Sequence, residues 1–202
     1  NGDHFSISIN SGGQLMNTIE HESEDALAKL TCGKIANRPQ PRVLIGGLGM
    51  GFTLAAALRH LGDKAEVVVG ELVPAVVEWN QGTLGAHAGN PLQDRRATVR
   101  IGDVAKILRV ERQAFDAILL DVDNGPEGLT RKKNNWLYSM DGLTESYTAL
   151  RPGGILAVWS AGPDRDFMER LRKVGYSVKQ VRVRADGKKG DLHAIWLAER
   201  DS

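Results

Sequence analysis

A glycine-rich segment directly behind a short apolar run is the feature that most constrains how this chain can fold. Val43, Leu44 and Ile45 form a continuous apolar run, which is typical of a strand buried on both faces. Four glycines follow before a helical pattern begins: Gly46, Gly47, Gly49 and Gly51. Glycine adopts positive φ and lets a ligand reach the main chain, and the next helix directs free N–H groups at the same space. The segment therefore predicts either a nucleotide or nucleoside site or a strand–helix corner that needs glycine for close packing.

Strand and helix patterns alternate along the rest of the chain. Further buried strands are predicted at 66–71, 97–101, 115–121 and 155–159, with helical patterns between them. This order is typical of a doubly wound parallel sheet with right-handed crossovers. Two closing strands, 176–184 and 192–198, form a hairpin that places one antiparallel strand in the sheet. The expected fold is an α/β fold with a doubly wound, mostly parallel, seven-stranded sheet of the Rossmann-like kind.

The residues ahead of the glycine segment are predicted to form a short N-terminal element. Residues 4–10 alternate apolar and polar side chains, and Gln14 to Thr18 is expected to return as a second strand after a glycine turn. A helix is predicted from about Glu24 to Ile35. We divide the chain into this β element and helix, residues 1–38, and one larger domain, residues 39–202.

Carboxylates stand at the ends of the second and third predicted strands. Glu71 lies 20 residues after Gly51, where a carboxylate can accept hydrogen bonds from both ribose hydroxyls, although a solvated strand-end carboxylate is the alternative. Asp103 follows Gly102 at the end of the third strand. There it could accept from the exocyclic amine of adenine or simply cap the next helix.

Two more carboxylates follow the fourth strand. Asp121 and Asp123 would lie beside the reactive end of a bound nucleoside, where they could bind a cationic substrate or take its proton. The alternative is a turn that favours Asp and Asn. We take Asp121 and Asp123 as the catalytic candidates. In the long loop that follows, Trp136 and Tyr138 are candidates for a lid or acceptor wall, or else for core anchors of the next helix.

Glycine spacing and composition exclude several classes of function. In a G-x-G-x-x-G motif that opens at Gly47, the third glycine would fall on Phe52, which disfavours a nicotinamide dinucleotide. A G-x-x-x-x-G-K-[ST] motif is absent from the sequence, so a nucleoside without phosphates fits better. The net charge of +1 predicts no attraction to nucleic acid or to an anionic membrane, and no apolar run approaches the ~20 residues of a membrane helix. Five scattered histidines predict no metal site, and the single cysteine fits a cytoplasmic protein.

Together these segments resemble the class I S-adenosylmethionine-dependent methyltransferase fold, and most closely its spermidine synthase (polyamine aminopropyltransferase) branch. The segments that carry the resemblance are 43–51, 67–77, 102–103, 115–121 and 150–155. The resemblance implies S-adenosylmethionine, or its decarboxylated form, as the cofactor. The donor-binding residues that it implies are Gln14, Gly46, Gly47, Gly49, Gly51, Glu71, Leu72, Gly102, Asp103, Val104 and Asp121. The partner is then a small-molecule acceptor, and a homodimer is expected because such synthases commonly pair.

The sequence departs from the synthase pattern in two places. Spermidine synthases read G-G-G-D-G-G in the glycine turn, where the Asp helps to hold the donor's ammonium, and this chain has Gly49 at that position. Their D-S-S-D-P motif is here Asp121-Val-Asp-Asn-Gly-Pro126. We therefore expect methyl transfer to a small acceptor, which would be cationic if the two carboxylates bind it. Aminopropyl transfer and a nucleoside-binding module without catalysis are the alternatives.

Overall fold

The structure, a computed structural model, describes residues 5–8, 14–17, 21–122, 136–186 and 189–202. Its strands are β1 (Ser6–Ser8), β2 (Gln14–Asn17), β3 (Arg42–Gly46), β4 (Glu66–Glu71), β5 (Ala97–Ile101), β6 (Phe115–Leu120), β7 (Leu150–Ser160), β8 (Tyr176–Asp186) and β9 (Lys189–Arg200). Its α-helices are α1 (Glu22–Ile35), α2 (Phe52–His60), α3 (Pro74–Gln81), α4 (Val104–Val110), α5 (Met140–Ala149) and α6 (Arg165–Val174).

Seven strands form one sheet in the order β5-β4-β3-β6-β7-β9-β8, and β1 and β2 form a separate antiparallel pair. The pairs among β5, β4, β3, β6 and β7 are parallel, whereas β9 runs antiparallel to both β7 and β8. The predicted seven-stranded, mostly parallel sheet is thus confirmed. Because β3 lies between β4 and β6, the ends of these three strands are neighbours at the carboxyl edge of the sheet.

The central strands are buried because each face of the sheet is covered by helices. Val43 and Ile45 pack into a core with α1 and α2, while Leu44 faces a second core with α4, α5 and α6. All three side chains have 0% exposure, so the continuous apolar pattern reflects burial on alternating sides.

Helix α1 belongs to the first of these cores. Its residues Leu27, Ala28, Cys32 and Ile35 are packed in the same cluster as β3 and α2. Burial raises the pKa of the Cys32 thiol to about 12, which makes a thiolate nucleophile there unfavourable. The division of the chain at residue 38 stays a prediction, since the packing of α1 does not show whether its segment folds separately.

Two segments are irregular. β7 begins at Leu150, ahead of the strand predicted at 155–159; Phe115 pairs with Leu150 and Ala117 with Ile155, so the intervening residues bulge out of register. The connection between α3 and β5 contains two short 3-10 helices, Gly85–Ala88 and Pro91–Gln93.

A buried ion-pair network closes the amino edge of the sheet. Asp116, at the start of β6, is 2% exposed. Its Oδ1 accepts from Nη1 of Arg38 at 2.5 Å, and its Oδ2 accepts from Nη1 of Arg151 and from the backbone N–H of Arg42, both at 2.7 Å. The network fastens the chain after α1 to β3, β6 and β7, at the edge opposite the glycine turn.

Candidate functional site

The glycine turn is shaped by close backbone contacts. Gly47, Gly49 and Gly51 have φ of +90°, +53° and +85°, which side-chain-bearing residues rarely adopt. A Cβ at Gly47 would lie 2.5 Å from the carbonyl oxygen of Asp121, so the turn passes directly over the end of β6. The Gly47 N–H donates to the carbonyl of Gly70 on β4 at 2.9 Å. Glycine is therefore required here for tight passage between two strand ends, and the same geometry leaves main chain exposed to a ligand.

Glu71 braces this turn from the end of β4. One carboxylate oxygen accepts from the Leu48 N–H and the other from the Val73 N–H, both at 2.8 Å. Glu71 is 7% exposed, so the alternative of a solvated strand-end carboxylate is wrong. Each oxygen keeps a further lone pair for a ribose hydroxyl. The neighbouring Leu72 is 43% exposed, which leaves an apolar side chain at the same edge without protein cover.

Replacing Glu71 with alanine is expected to weaken donor binding by about 1–3 kcal/mol, because the ribose hydroxyls and two backbone N–H groups lose their acceptor. Calorimetric titration with the donor measures this loss. Glu66→Ala is the matched control, since Glu66 lies on the same strand, at its opposite end, with an exposed side chain. Equal donor affinities of the two variants would contradict a role for Glu71 at the ribose.

Asp103 and its neighbours form the far side of the candidate site. The Asp103 carboxylate caps α4 by accepting from the Ala105 N–H at 2.9 Å. Capping uses one carboxylate oxygen of Asp103. A hydrogen bond from adenine to the other oxygen stays a prediction. Gly102 has φ of +146° and donates its N–H to the carbonyl of Glu71 at 2.7 Å. Val104 is 5% exposed and packs where Gly46 and Gly70 lack side chains, so it shapes the floor of the site.

Asn80 supports the turn from α3 and was not identified from the sequence. Its Nδ2 donates to the carbonyls of Gly49 at 2.8 Å and Val76 at 2.9 Å, and the residue is 2% exposed. Its Oδ1 is buried without a hydrogen-bond partner among the described residues. A Cβ at Gly51 would approach that oxygen to 3.0 Å. The sequence feature that could have identified Asn80 is its position as a polar residue on an otherwise apolar helix face.

Two carboxylates, Asp121 and Glu24, lie near each other next to the glycine turn. Thr53, in the first turn of α2, donates its hydroxyl to Oδ2 of Asp121 at 2.6 Å. Burial raises the pKa of Asp121. Glu24, in the first turn of α1, has a pKa raised to about 7, mainly by burial and then by the charge of Asp121. In the ranges that the structure describes, no Lys, Arg or His forms an ion pair with either carboxylate.

An aromatic pair continues this row of side chains along the sheet edge. Leu120 pairs with Val158, so Asp121 and Trp159, which follow them, emerge on the same face of the sheet. The Trp159 ring lies 4.7 Å from the ring of His193 on β9. Nε1 of Trp159 and Nδ1 of His193 are both buried, and neither has a hydrogen-bond partner within the described part of the chain. The sequence alone indicated no functional role for four of these residues: Trp159, His193, Glu24 and Thr53.

The remaining candidates lie in different surroundings. Tyr138 is 3% exposed and packs edge-to-face on Phe167, and its hydroxyl donates to the carbonyl of Val122 at 3.2 Å. Trp136 packs partly buried on the same core, with the guanidinium of Arg109 4.1 Å from its ring centre. Both residues thus anchor the chain before α5, and contact of either with an acceptor stays a prediction.

Two candidates cannot be placed as side chains. Asp123 lies outside the described residues. Gln14 begins β2, for which the structure describes the backbone alone. Their roles in catalysis and donor binding stay predictions.

Among the described residues there is no group of three or more His, Cys, Asp or Glu that could hold a metal ion. None of the helices described is both long enough and apolar enough to cross a membrane.

Comparison with known proteins places this geometry in a family. The spermine/spermidine synthase domain matches residues 23–181. Polyamine aminopropyltransferase 1 of Streptomyces coelicolor is 33% identical over 135 residues, and polyamine aminopropyltransferase of Korarchaeum cryptofilum is 28% identical over 124 residues. These matches cover 62% and 61% of this chain, but only 23% and 36% of the relatives, so the chain spans a minor part of their length.

Solved structures agree on the fold. Spermidine synthase from Thermotoga maritima superposes with a TM-score of 0.71 at 19% identity, covering 93% of this chain and 62% of that one. The O-methyltransferase TomG from Streptomyces achromogenes superposes with a TM-score of 0.66 at 17% identity, covering 95% and 84%. The fold is therefore shared by both kinds of transferase. Since the family domain covers most of the sequence, from α1 to β8, the chain belongs to the spermine/spermidine synthase domain family.

Proposed function

We propose that this chain transfers an aminopropyl group from decarboxylated S-adenosylmethionine to an amine. The observation that carries the proposal is the pair Glu24 and Asp121, two largely buried carboxylates beside the glycine turn with no cationic partner among the described residues. Buried negative charge without a counter-charge is costly, and a cationic ligand relieves that cost. Family membership supports the same choice. The methyl transfer expected from the sequence lacks such support and becomes the second candidate.

The donor's adenosyl part would lie over the glycine turn. Glu71 would accept from the ribose hydroxyls, and the free carboxylate oxygen of Asp103 would accept from the adenine amine. Leu72 would cover the base with its exposed side chain. These roles follow from the position of each group at the carboxyl edge of the sheet, where doubly wound folds bind their ligands.

The transfer itself is an in-line displacement at carbon. The lone pair of the acceptor nitrogen attacks the propyl CH₂ bonded to sulfur; a C–N bond forms, the C–S bond breaks, and its electron pair stays on sulfur as methylthioadenosine. The nitrogen must shed a proton, and Asp121 is the base proposed for it. Its raised pKa makes it a stronger base than an ordinary carboxylate, although still weaker than the amine. The sulfonium supplies the activation, so the protein mainly orients the two reactants.

Methyl transfer remains the second candidate because of one observation. The turn carries Gly49 where a synthase would carry an Asp, so the turn itself offers no carboxylate to the ammonium of a decarboxylated donor. A methyltransferase would cleave the other C–S bond of its donor and release S-adenosylhomocysteine. The two products therefore separate the candidates.

The experiment incubates the protein with each donor and a set of aliphatic diamines and triamines, followed by mass spectrometry of the nucleoside products. Methylthioadenosine that forms only with the decarboxylated donor and an amine present is the expected result. Release of S-adenosylhomocysteine from the carboxylated donor, with no methylthioadenosine from the other, would establish methyl transfer instead. Omission of the amine controls for spontaneous breakdown of the donor.

A further inference from the structure

We infer that Glu24 is the residue that makes this site choose a donor without a carboxylate. The inference rests on the proposed function, and it concerns which residue of this chain sets donor choice. Glu24 lies in the first turn of α1, beside the first turn of α2, because the ring of His21 stacks on that of Phe52 at 4.2 Å. The next residue of α2, Thr53, binds Asp121, so Glu24 lies at the carboxyl edge of the sheet. It would face the donor's ammonium together with Asp121.

The acidic residues of the first turn of α1 have different surroundings. Asp25 is paired with Arg59 at 2.7 Å and with His21 at 3.3 Å, and Glu22 is exposed. Glu24 instead lies close enough to Asp121 for that charge to raise its pKa, and it accepts from the Ser23 hydroxyl at 2.6 Å. One carboxylate of the three is thus buried toward the site without a counter-charge.

Among the described residues, neither the turn nor the end of β4 offers another carboxylate for this role. Residues 46–51 contain no ionisable side chain. Glu71 is the other buried carboxylate at this edge, and both of its oxygens already accept backbone N–H groups. On the same face beside Asp121, the Trp159 Nε1 is buried without a hydrogen-bond partner among the described residues, so it is a donor that a polar ligand group could satisfy.

Charge then decides between the two donors. Both carry an ammonium, but S-adenosylmethionine adds a carboxylate on the carbon that bears the ammonium. That carboxylate would approach Glu24 and Asp121 and be repelled, whereas the decarboxylated donor presents only positive charge. The negative charge of Glu24 and Asp121 therefore attracts the decarboxylated donor and disfavours S-adenosylmethionine.

The discrimination should depend on pH. Glu24, with a pKa near 7, loses its charge as the pH falls from 8 to 6. The charged or titratable groups on or next to the elements packed around it include Asp121 after β6, His21 before α1, Asp25 on α1, Arg59 on α2, Lys179 on β8 and His193 on β9.

Glu24→Gln isolates the contribution of Glu24, because it removes the charge of that side chain alone. The test measures dissociation constants for both donors at pH 8 by calorimetry. The preference of the native chain for the decarboxylated donor should fall about tenfold or more in Glu24→Gln. Glu22→Gln, at an exposed position two residues away, should keep the preference for the decarboxylated donor. Glu24→Asp should keep part of that preference.

The outcomes distinguish this inference from the proposed function. A native chain that binds neither donor, or that prefers the carboxylated one, overturns both. A native preference that Glu24→Gln leaves unchanged overturns the role of Glu24 alone. Should Glu24→Gln fail to fold, the native chain titrated at pH 6 and pH 8 decides, since a preference that does not change with pH contradicts the inference.

Discussion

Asp121→Asn is expected to lower the turnover number by about 10²–10⁴-fold, the usual contribution of a general base. The substitution keeps the shape of the side chain, and the amide can still accept the 2.6 Å hydrogen bond from Thr53. Donor binding should change little. The loss of the Asp121 charge removes one cause of the raised pKa of Glu24, so Glu24 becomes more fully ionised and offsets the lost charge.

Steady-state kinetics with the decarboxylated donor and an amine acceptor measures this effect. The role of Asp121 as base predicts a fall in kcat with donor affinity nearly unchanged. Thr53→Val is the companion variant, because it removes the hydrogen bond while the carboxylate remains, and a much smaller loss is expected. A loss of turnover no larger than the loss of donor affinity in Asp121→Asn would show that Asp121 acts through donor binding alone and not as the base.

Asp116→Ala is expected to lower the free energy of unfolding by about 3–5 kcal/mol. Asp116 is buried and forms ion pairs with the guanidinium groups of Arg38 and Arg151 while accepting the N–H of Arg42. Without it, two partly buried cations and one backbone donor lose their acceptor at the same point. Chemical denaturation gives the change directly. Asp63→Ala, an exposed position, should stay within about 0.5 kcal/mol of the native chain. A loss below 1 kcal/mol for Asp116→Ala would show that the network is not needed for stability.

The sheet could be predicted because its signals are local. Val43–Ile45 and the glycines after them lie in one segment, and their burial and positive φ follow from that segment's place between β4 and β6. The same holds for the carboxylates of Glu71 and Asp121, which the parallel order of strands brings to one edge. The bulge in β7 is an exception, because it depends on how Phe115 and Ala117 pair across strands with Leu150 and Ile155, which spacing alone does not reveal.

The parts of the site that were missed come from contacts between distant segments. Three acidic residues open α1, and only the packing of that helix shows that Glu24 faces Asp121 while Asp25 pairs with Arg59. The contact of Asn80 with the Gly49 carbonyl joins α3 to the turn in the same way. Methyl transfer was favoured because the turn lacks a carboxylate at Gly49. The structure offers one from α1 instead.

Calorimetric titration of the native chain with the two donors at pH 8 tests the central claim most directly. The claim is that the carboxyl edge of this sheet is a site for decarboxylated S-adenosylmethionine. It predicts a dissociation constant for that donor at least about tenfold lower than for S-adenosylmethionine. Tighter binding of S-adenosylmethionine, or equal binding of both, would contradict it.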